Sequence, residues 1–188
     1  MLTRLYRQHH PHATFGAANY VTLSRALLTI VLLAIATPPP ASRLAWLAGW
    51  MAGAIAALDG VDGWLARRSG TSSAFGARFD METDAAFVLV LSVLALRYGK
   101  AGPWVLLIGL MRYLFVAAGW LLPWLNGPLT PTLRGKTVAV VQMVTLALVM
   151  VVPPSVSSVA AAASLTLLVW SFAIDVARLR KGTVQNAK

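Results

Sequence analysis

Residues 59–84, DGVDGWLARRSGTSSAFGARFDMETD, hold five of the six acidic residues of the chain: Asp59, Asp62, Asp80, Glu82 and Asp84. Asp59 and Asp62 are three residues apart, and Asp80 and Asp84 are four apart. On helices those spacings put each pair on one face. Gly63 and Ala66 continue the Asp59 face at i+4 and i+7, which leaves it acidic but sterically open. A connection of about a dozen residues between the pairs lets two helices run antiparallel, with both pairs facing each other at one end.

Outward from this stretch the chain is apolar: 58% of its 188 residues are hydrophobic. They fall into runs of about 20 residues, the length a helix needs to cross a hydrocarbon core of about 30 Å. The reading is an all-α integral membrane protein of six transmembrane helices, near residues 18–36, 43–67, 79–98, 103–125, 136–152 and 156–179. Pro38-Pro39-Pro40, Tyr98-Gly99, Asn126-Gly127-Pro128 and Pro153-Pro154 supply the breaks, and Pro123 is expected to kink the fourth helix. A basic leader (1–16), one six-helix domain (17–180) and a basic tail (181–188) complete the division. The leader reads as uncleaved, because the apolar run after it is long and contains Arg25.

The net charge of +10 does not point to nucleic acid, because the basic residues flank apolar runs, where lipid headgroups lie. Arg4, Arg7, Arg67, Arg68, Arg78, Arg134, Lys136, Arg178, Arg180, Lys181 and Lys188 gather on one side, against Arg43, Arg97 and Lys100 on the other. Both termini are therefore expected in the cytoplasm, with the acidic site at the cytoplasmic ends of helices 2 and 3. The membrane expected is a bacterial inner membrane. Cysteine is absent, which excludes disulfides and thiolate metal sites.

Carboxylates inside or near a bilayer are costly, and four together repel one another. Two kinds of partner offset this. One is basic, and Arg67, Arg68 and Arg78 are near in sequence; the result is then a structural ion-pair network. The other is divalent metal, and oxygen-only ligands suit Mg²⁺ or Mn²⁺. Two such ions bridged by shared carboxylates form a clamp for phosphoryl transfer.

The pattern Asp59-x2-Asp62-Gly63-x2-Ala66-Arg67-x8-Gly76-x3-Asp80-x3-Asp84 resembles the signature of the CDP-alcohol phosphatidyltransferases. The resemblance implies an enzyme that takes a CDP-linked lipid, usually CDP-diacylglycerol, and an acceptor alcohol, forms a phosphodiester and releases CMP. It implies that Asp59, Asp62, Asp80 and Asp84 bind two Mg²⁺ or Mn²⁺ ions, with Asp84 also the catalytic base. Gly63, Ala66, Arg67 and Gly76 would shape the nucleotide site, and the enzyme would be a homodimer.

Asn19-x2-Thr22-x2-Arg25 resembles a family element on the cytidine side of the site, with Ala18 where proline is common; Asn19 and Thr22 also suit helix capping. Arg25, inside an apolar run, is expected to face protein or a polar cavity. Arg134-Gly135-Lys136-Thr137 with Gln142 is similar to an element of phosphatidylglycerophosphate synthases. With Arg112, deep in the fourth helix, Arg134 and Lys136 would hold a phosphorylated acceptor such as glycerol 3-phosphate; an alternative for Arg134 and Lys136 is lipid anchoring. Asp175 is expected to pair with Arg178 or Arg25. His9, His10 and His12 have no carboxylate partner nearby and no assigned role. Two further classes use intramembrane aspartates: membrane prenyltransferases acting on a pyrophosphate, and small divalent-cation transporters. The first need more helices than this chain supplies. The second need acids in both halves, and only Asp175 lies outside the cluster.

Overall fold

The computed structural model describes residues 17–69, 74–127 and 132–186, with side chains except at 17, 62, 64–67, 69, 74, 126 and 181–186. Six α-helices account for most of it: α1 Ala17–Ala34, α2 Ser42–Ser69, α3 Ala74–Arg97, α4 Leu106–Leu121, α5 Leu133–Val151 and α6 Pro154–Asn186. Short 3₁₀ turns at Pro103–Val105 and Pro123–Asn126 flank α4. Among the described residues there is no strand.

The helices follow the apolar runs, and their ends follow the breakers. α1 stops in tight turns, with Ile35 N–H donating to the Leu32 carbonyl at 3.1 Å, before the three prolines. Past the end of α3, Gly99 takes a φ of 63°, which glycine adopts without a Cβ penalty. The amides of Gly99 and Lys100 then donate to the carbonyls of Leu96 and Ala95 at 3.0 and 2.8 Å, a Schellman closure. Pro123 does not kink α4. The helix ends at Leu121, and Pro123 opens the following 3₁₀ turn, where its missing N–H costs nothing.

α3 begins at Ala74, five residues before the expected start at 79. The connection between α2 and α3 is therefore short, and Asp80 stands more than a turn inside the helix. Likewise α6 runs on through residues 181–186, which the sequence reading set apart as a tail. The leader, with His9, His10 and His12, lies outside the described residues.

α3 is the central helix, packed against α1, α4 and α5; α2 packs on α1 and α5, and α6 on α5. Phe87, Leu91 and Leu94 of α3, Ile55 of α2 and Leu146 and Met150 of α5 are buried at the centre. Glycines set the closest approaches. A Cβ on Gly109 of α4 would lie 2.5 Å from Leu89 Cα of α3, and one on Gly49 of α2 would lie 2.6 Å from Val151 Cγ1 of α5. Small residues are how helices approach closely inside a bilayer.

The outer surface is apolar, with Trp50, Trp120, Leu121, Leu133 and Val159 all exposed. A soluble protein rarely shows so continuous an apolar exterior. Among the described residues, four stretches are long and apolar enough to cross a membrane: Ser42–Val61, Pro103–Leu121, Leu133–Val151 and Pro154–Arg180. The interior carries the polar groups, and helical hydroxyls satisfy themselves on carbonyls four residues back, as Thr29 does on Arg25 and Ser92 on Val88.

At the end of α3, three side chains tie helix ends together. Arg97 Nε donates to the Ala36 carbonyl at 3.1 Å, Tyr98 Oη donates to Ile35 at 3.2 Å, and Lys100 Nζ donates to Val152 at 2.7 Å.

Candidate active site

Asn19, Thr22, Arg25 and Thr29 form the inward stripe of α1, and all four are buried. The spacing of three and four residues makes one polar face on an otherwise apolar helix. Thr22 Oγ1 donates to the Ala18 carbonyl at 3.2 Å, so it braces the helix rather than capping it.

Arg25 reaches from this stripe into the acidic stretch. Its Nη2 lies 2.8 Å from Asp59 Oδ1 of α2 and also donates to Asp84 Oδ1 of α3. Its Nη1 donates to Asp80 Oδ1 at 2.8 Å. One guanidinium thus joins α1, α2 and α3. Its planar fork suits this, because the donors leave in fixed directions toward separate carboxylates. A basic partner is one of the two options for the aspartates, with Arg67, Arg68 and Arg78 near in sequence; Arg25 of α1 supplies one from a distant part of the chain. The sequence puts Arg25 in the Asn19-x2-Thr22 element and on a protein-facing side, but does not name the aspartates as its partners; the available signal is its place on one face with Asn19, Thr22 and Thr29.

Arg25 is fully buried, whereas Asp59, Asp80 and Asp84 keep side-chain exposures of 25, 38 and 26%. The carboxylates are thus held from behind and reachable in front. One oxygen from each lies within 4.8 Å of the others. That spacing and an all-oxygen donor set fit a hard divalent cation. Gly63 of α2 and Gly76 in the first turns of α3 are half-buried on the two helices that carry the cluster. The side chains of Asp62, Ala66 and Arg67 lie outside the described residues.

Beside Asp84 opens a cavity of about 180 Å³ between α3, α4, α5 and α6, with Arg112 on its wall. Arg112 Nη2 donates to Glu82 Oε1 across the α3–α4 interface. Gln142 of α5, also on the wall, donates through Nε2 to the Ser164 carbonyl at 2.8 Å and accepts from Ser164 Oγ at 2.5 Å.

Arg134 and Lys136 do not line this cavity. Arg134 pairs with Asp175 of α6, and its guanidinium carbon sits 5.9 Å from the Trp170 ring centre. Asp175 thus takes neither Arg178 nor Arg25, the two partners expected from sequence, because α5 and α6 pack side by side and bring Arg134 to it. Lys136 is exposed in the first turn of α5. Thr132 caps that helix by accepting from Gly135 N–H at 3.1 Å, a cap the sequence reading missed.

A comparison with curated proteins finds no match. The family model for CDP-alcohol phosphatidyltransferase matches residues 15–173. That span takes in the stripe of α1, the three clustered aspartates and the cavity behind Asp84, so the chain belongs to the CDP-alcohol phosphatidyltransferase family.

Proposed function

We propose that this protein moves a phosphatidyl group from CDP-diacylglycerol to a hydroxyl acceptor and releases CMP, with two divalent ions held by Asp59, Asp62, Asp80 and Asp84. Its family makes it a membrane-embedded transferase of phospholipid biosynthesis. The observation that carries the site is the gathering of Asp59, Asp80 and Asp84 oxygens within 4.8 Å of one another. Mg²⁺ or Mn²⁺ bound there supplies positive charge against the pyrophosphate and the departing CMP.

The protein's own groups do the rest. Asp84 Oδ1 is held by Arg25, so Oδ2 is the atom that takes the acceptor's proton. The acceptor oxygen forms its bond to the phosphatidyl phosphorus as the bond from that phosphorus to CMP breaks, with the electron pair leaving on CMP. Gly63 and Gly76 leave room for the nucleotide to approach the backbone. Asn19 and Thr22 line the cytidine side, Ala66 keeps the α2 face open, and Arg67 meets phosphate.

Glycerol 3-phosphate is the acceptor that the likeness of Arg112, Arg134 and Lys136 to a phosphate site suggests; of the three, Arg112 lines the cavity, where it is paired with Glu82, and Arg134 and Lys136 do not. The reading extends to α1 and α3 as further spans, making six. It also puts both termini in the cytoplasm of a bacterial inner membrane and makes the protein a homodimer.

The test is CMP release by purified protein in detergent with CDP-diacylglycerol and Mn²⁺ across a panel of alcohols. Metal-dependent CMP is expected. Asp80→Asn should abolish it and weaken Mn²⁺ binding measured by electron paramagnetic resonance. Full turnover in that variant would remove the metal reading; pyrophosphate release in place of CMP would favour prenyl transfer, and metal flux without chemistry a transporter.

A further inference from the structure

The cavity behind Asp84 is where the body of the acceptor must go if Asp84 takes the proton from its hydroxyl; the inference rests on that reading. Its wall is mainly apolar, and three methionines, Met81, Met111 and Met143, with Phe172 and Leu168 are its larger apolar side chains. Such side chains are apolar, and the thioethers adapt to irregular shapes. Its few polar groups are partly committed. Arg112 is paired with Glu82, whose negative charge opposes that of a phosphate. Gln142 is buried and gives one N–H and one carbonyl lone pair to Ser164, leaving one N–H and one lone pair at most for a ligand. The cations that would strengthen a phosphate site stand elsewhere, with Arg134 held by Asp175 and Lys136 exposed.

A phosphate or a polyol entering this space would give up most of its water for few replacement hydrogen bonds, which is unfavourable against a mainly apolar wall. An uncharged apolar body would lose nothing. We infer that the acceptor is a neutral alcohol whose non-reacting part is apolar and fills this cavity. An apolar cavity of about 150 Å³ holds benzene. At about 180 Å³ this one takes a body of similar or slightly greater size. The step balances as for any alcohol: the hydroxyl proton passes to Asp84, the new phosphorus–oxygen bond forms, and CMP departs with the electron pair of the broken bond.

The experiment compares three acceptors with CDP-diacylglycerol and Mn²⁺: glycerol 3-phosphate, benzyl alcohol as a free apolar alcohol, and 1,2-dioctanoylglycerol as a lipid alcohol. CMP release at least ten-fold above the no-acceptor rate is expected with one or both neutral alcohols, and not with glycerol 3-phosphate. Preference between the two neutral alcohols separates a free source from a membrane one. Ala139→Phe, which narrows the cavity from α5, should raise the KM of the neutral acceptor at least five-fold and leave the donor KM unchanged; Ala139→Leu serves if the larger residue does not fold. Faster turnover with glycerol 3-phosphate, or an unchanged acceptor KM in the Ala139 variant, overturns the inference and leaves the transferase reading standing. No metal-dependent CMP with any acceptor overturns both.

Discussion

Arg25 has no exposed side-chain surface and faces Asp59, Asp80 and Asp84. Removing a buried cation from several carboxylates is destabilising, and because these keep exposures of 25–38% the cost lies below the ~3–5 kcal/mol of a fully buried group. Arg25→Ala should therefore lower the melting temperature of metal-free protein by several degrees. Because guanidinium and metal answer the same carboxylates, added Mn²⁺ should raise the melting temperature of this variant more than that of the parent. A smaller Mn²⁺ shift would instead make Arg25 the group that preforms the metal site. Asp84→Asn should keep labelled CDP-diacylglycerol bound and cut CMP release by about 10²-fold or more, the scale of a lost general base; loss of donor binding would deny Asp84 that role. The aspartates were legible because their spacing is local, three and four residues on one helix face. Arg25 was not, because it bonds residues 55 and 59 positions away. Such a pairing depends on how helices pack, and no periodicity encodes it.

At the level of elements, the helices themselves were legible from apolar runs and proline or glycine breaks. The start of α3 was not, since 74–78, AFGAR, continues no apolar run and reads as part of the connection. Nor was the length of α4 evident: Pro103 and Pro123 each convert an expected end of the helix into a 3₁₀ turn. The interface between α3 and α4 is set by Gly109, whose added Cβ would stand 2.5 Å from the Leu89 backbone. Gly109→Ala should push the two helices apart and lower the melting temperature clearly. At Gly53 a Cβ would meet nothing within 4 Å, so Gly53→Ala should be neutral or stabilising, by up to about 1 kcal/mol from helix propensity. Equal effects at the two positions would show that propensity, not close approach, governs Gly109.

For the molecule as a whole, the apolar exterior was foreshadowed by composition, but the polar stripe of α1 and the set of helices that share the cavity emerge only from their assembly. The proposed six-span topology has a direct check, because the chain contains no cysteine. Single cysteines placed at His9 and Lys188 should react with an impermeant maleimide from the same side of sealed vesicles, and one at Arg43 from the opposite side. Labelling of all three from one side would remove the topology. The side-chain ties around Tyr98 carry a last consequence. They join the ends of α1, α3 and α5 some 14 residues along α3 from Asp84, or about 21 Å at the helical rise. The bundle then behaves as a clothes-peg, sprung at the Gly99 end, with its jaws at the aspartates and Arg25 as the catch. If the proposed lipid headgroup reaches the aspartates, the jaws are expected to part while the spring stays shut. Backbone deuterium uptake should accordingly be slow at Leu94–Tyr98 and rise steadily toward Asp80, and adding Mn²⁺ should change it at the jaws alone.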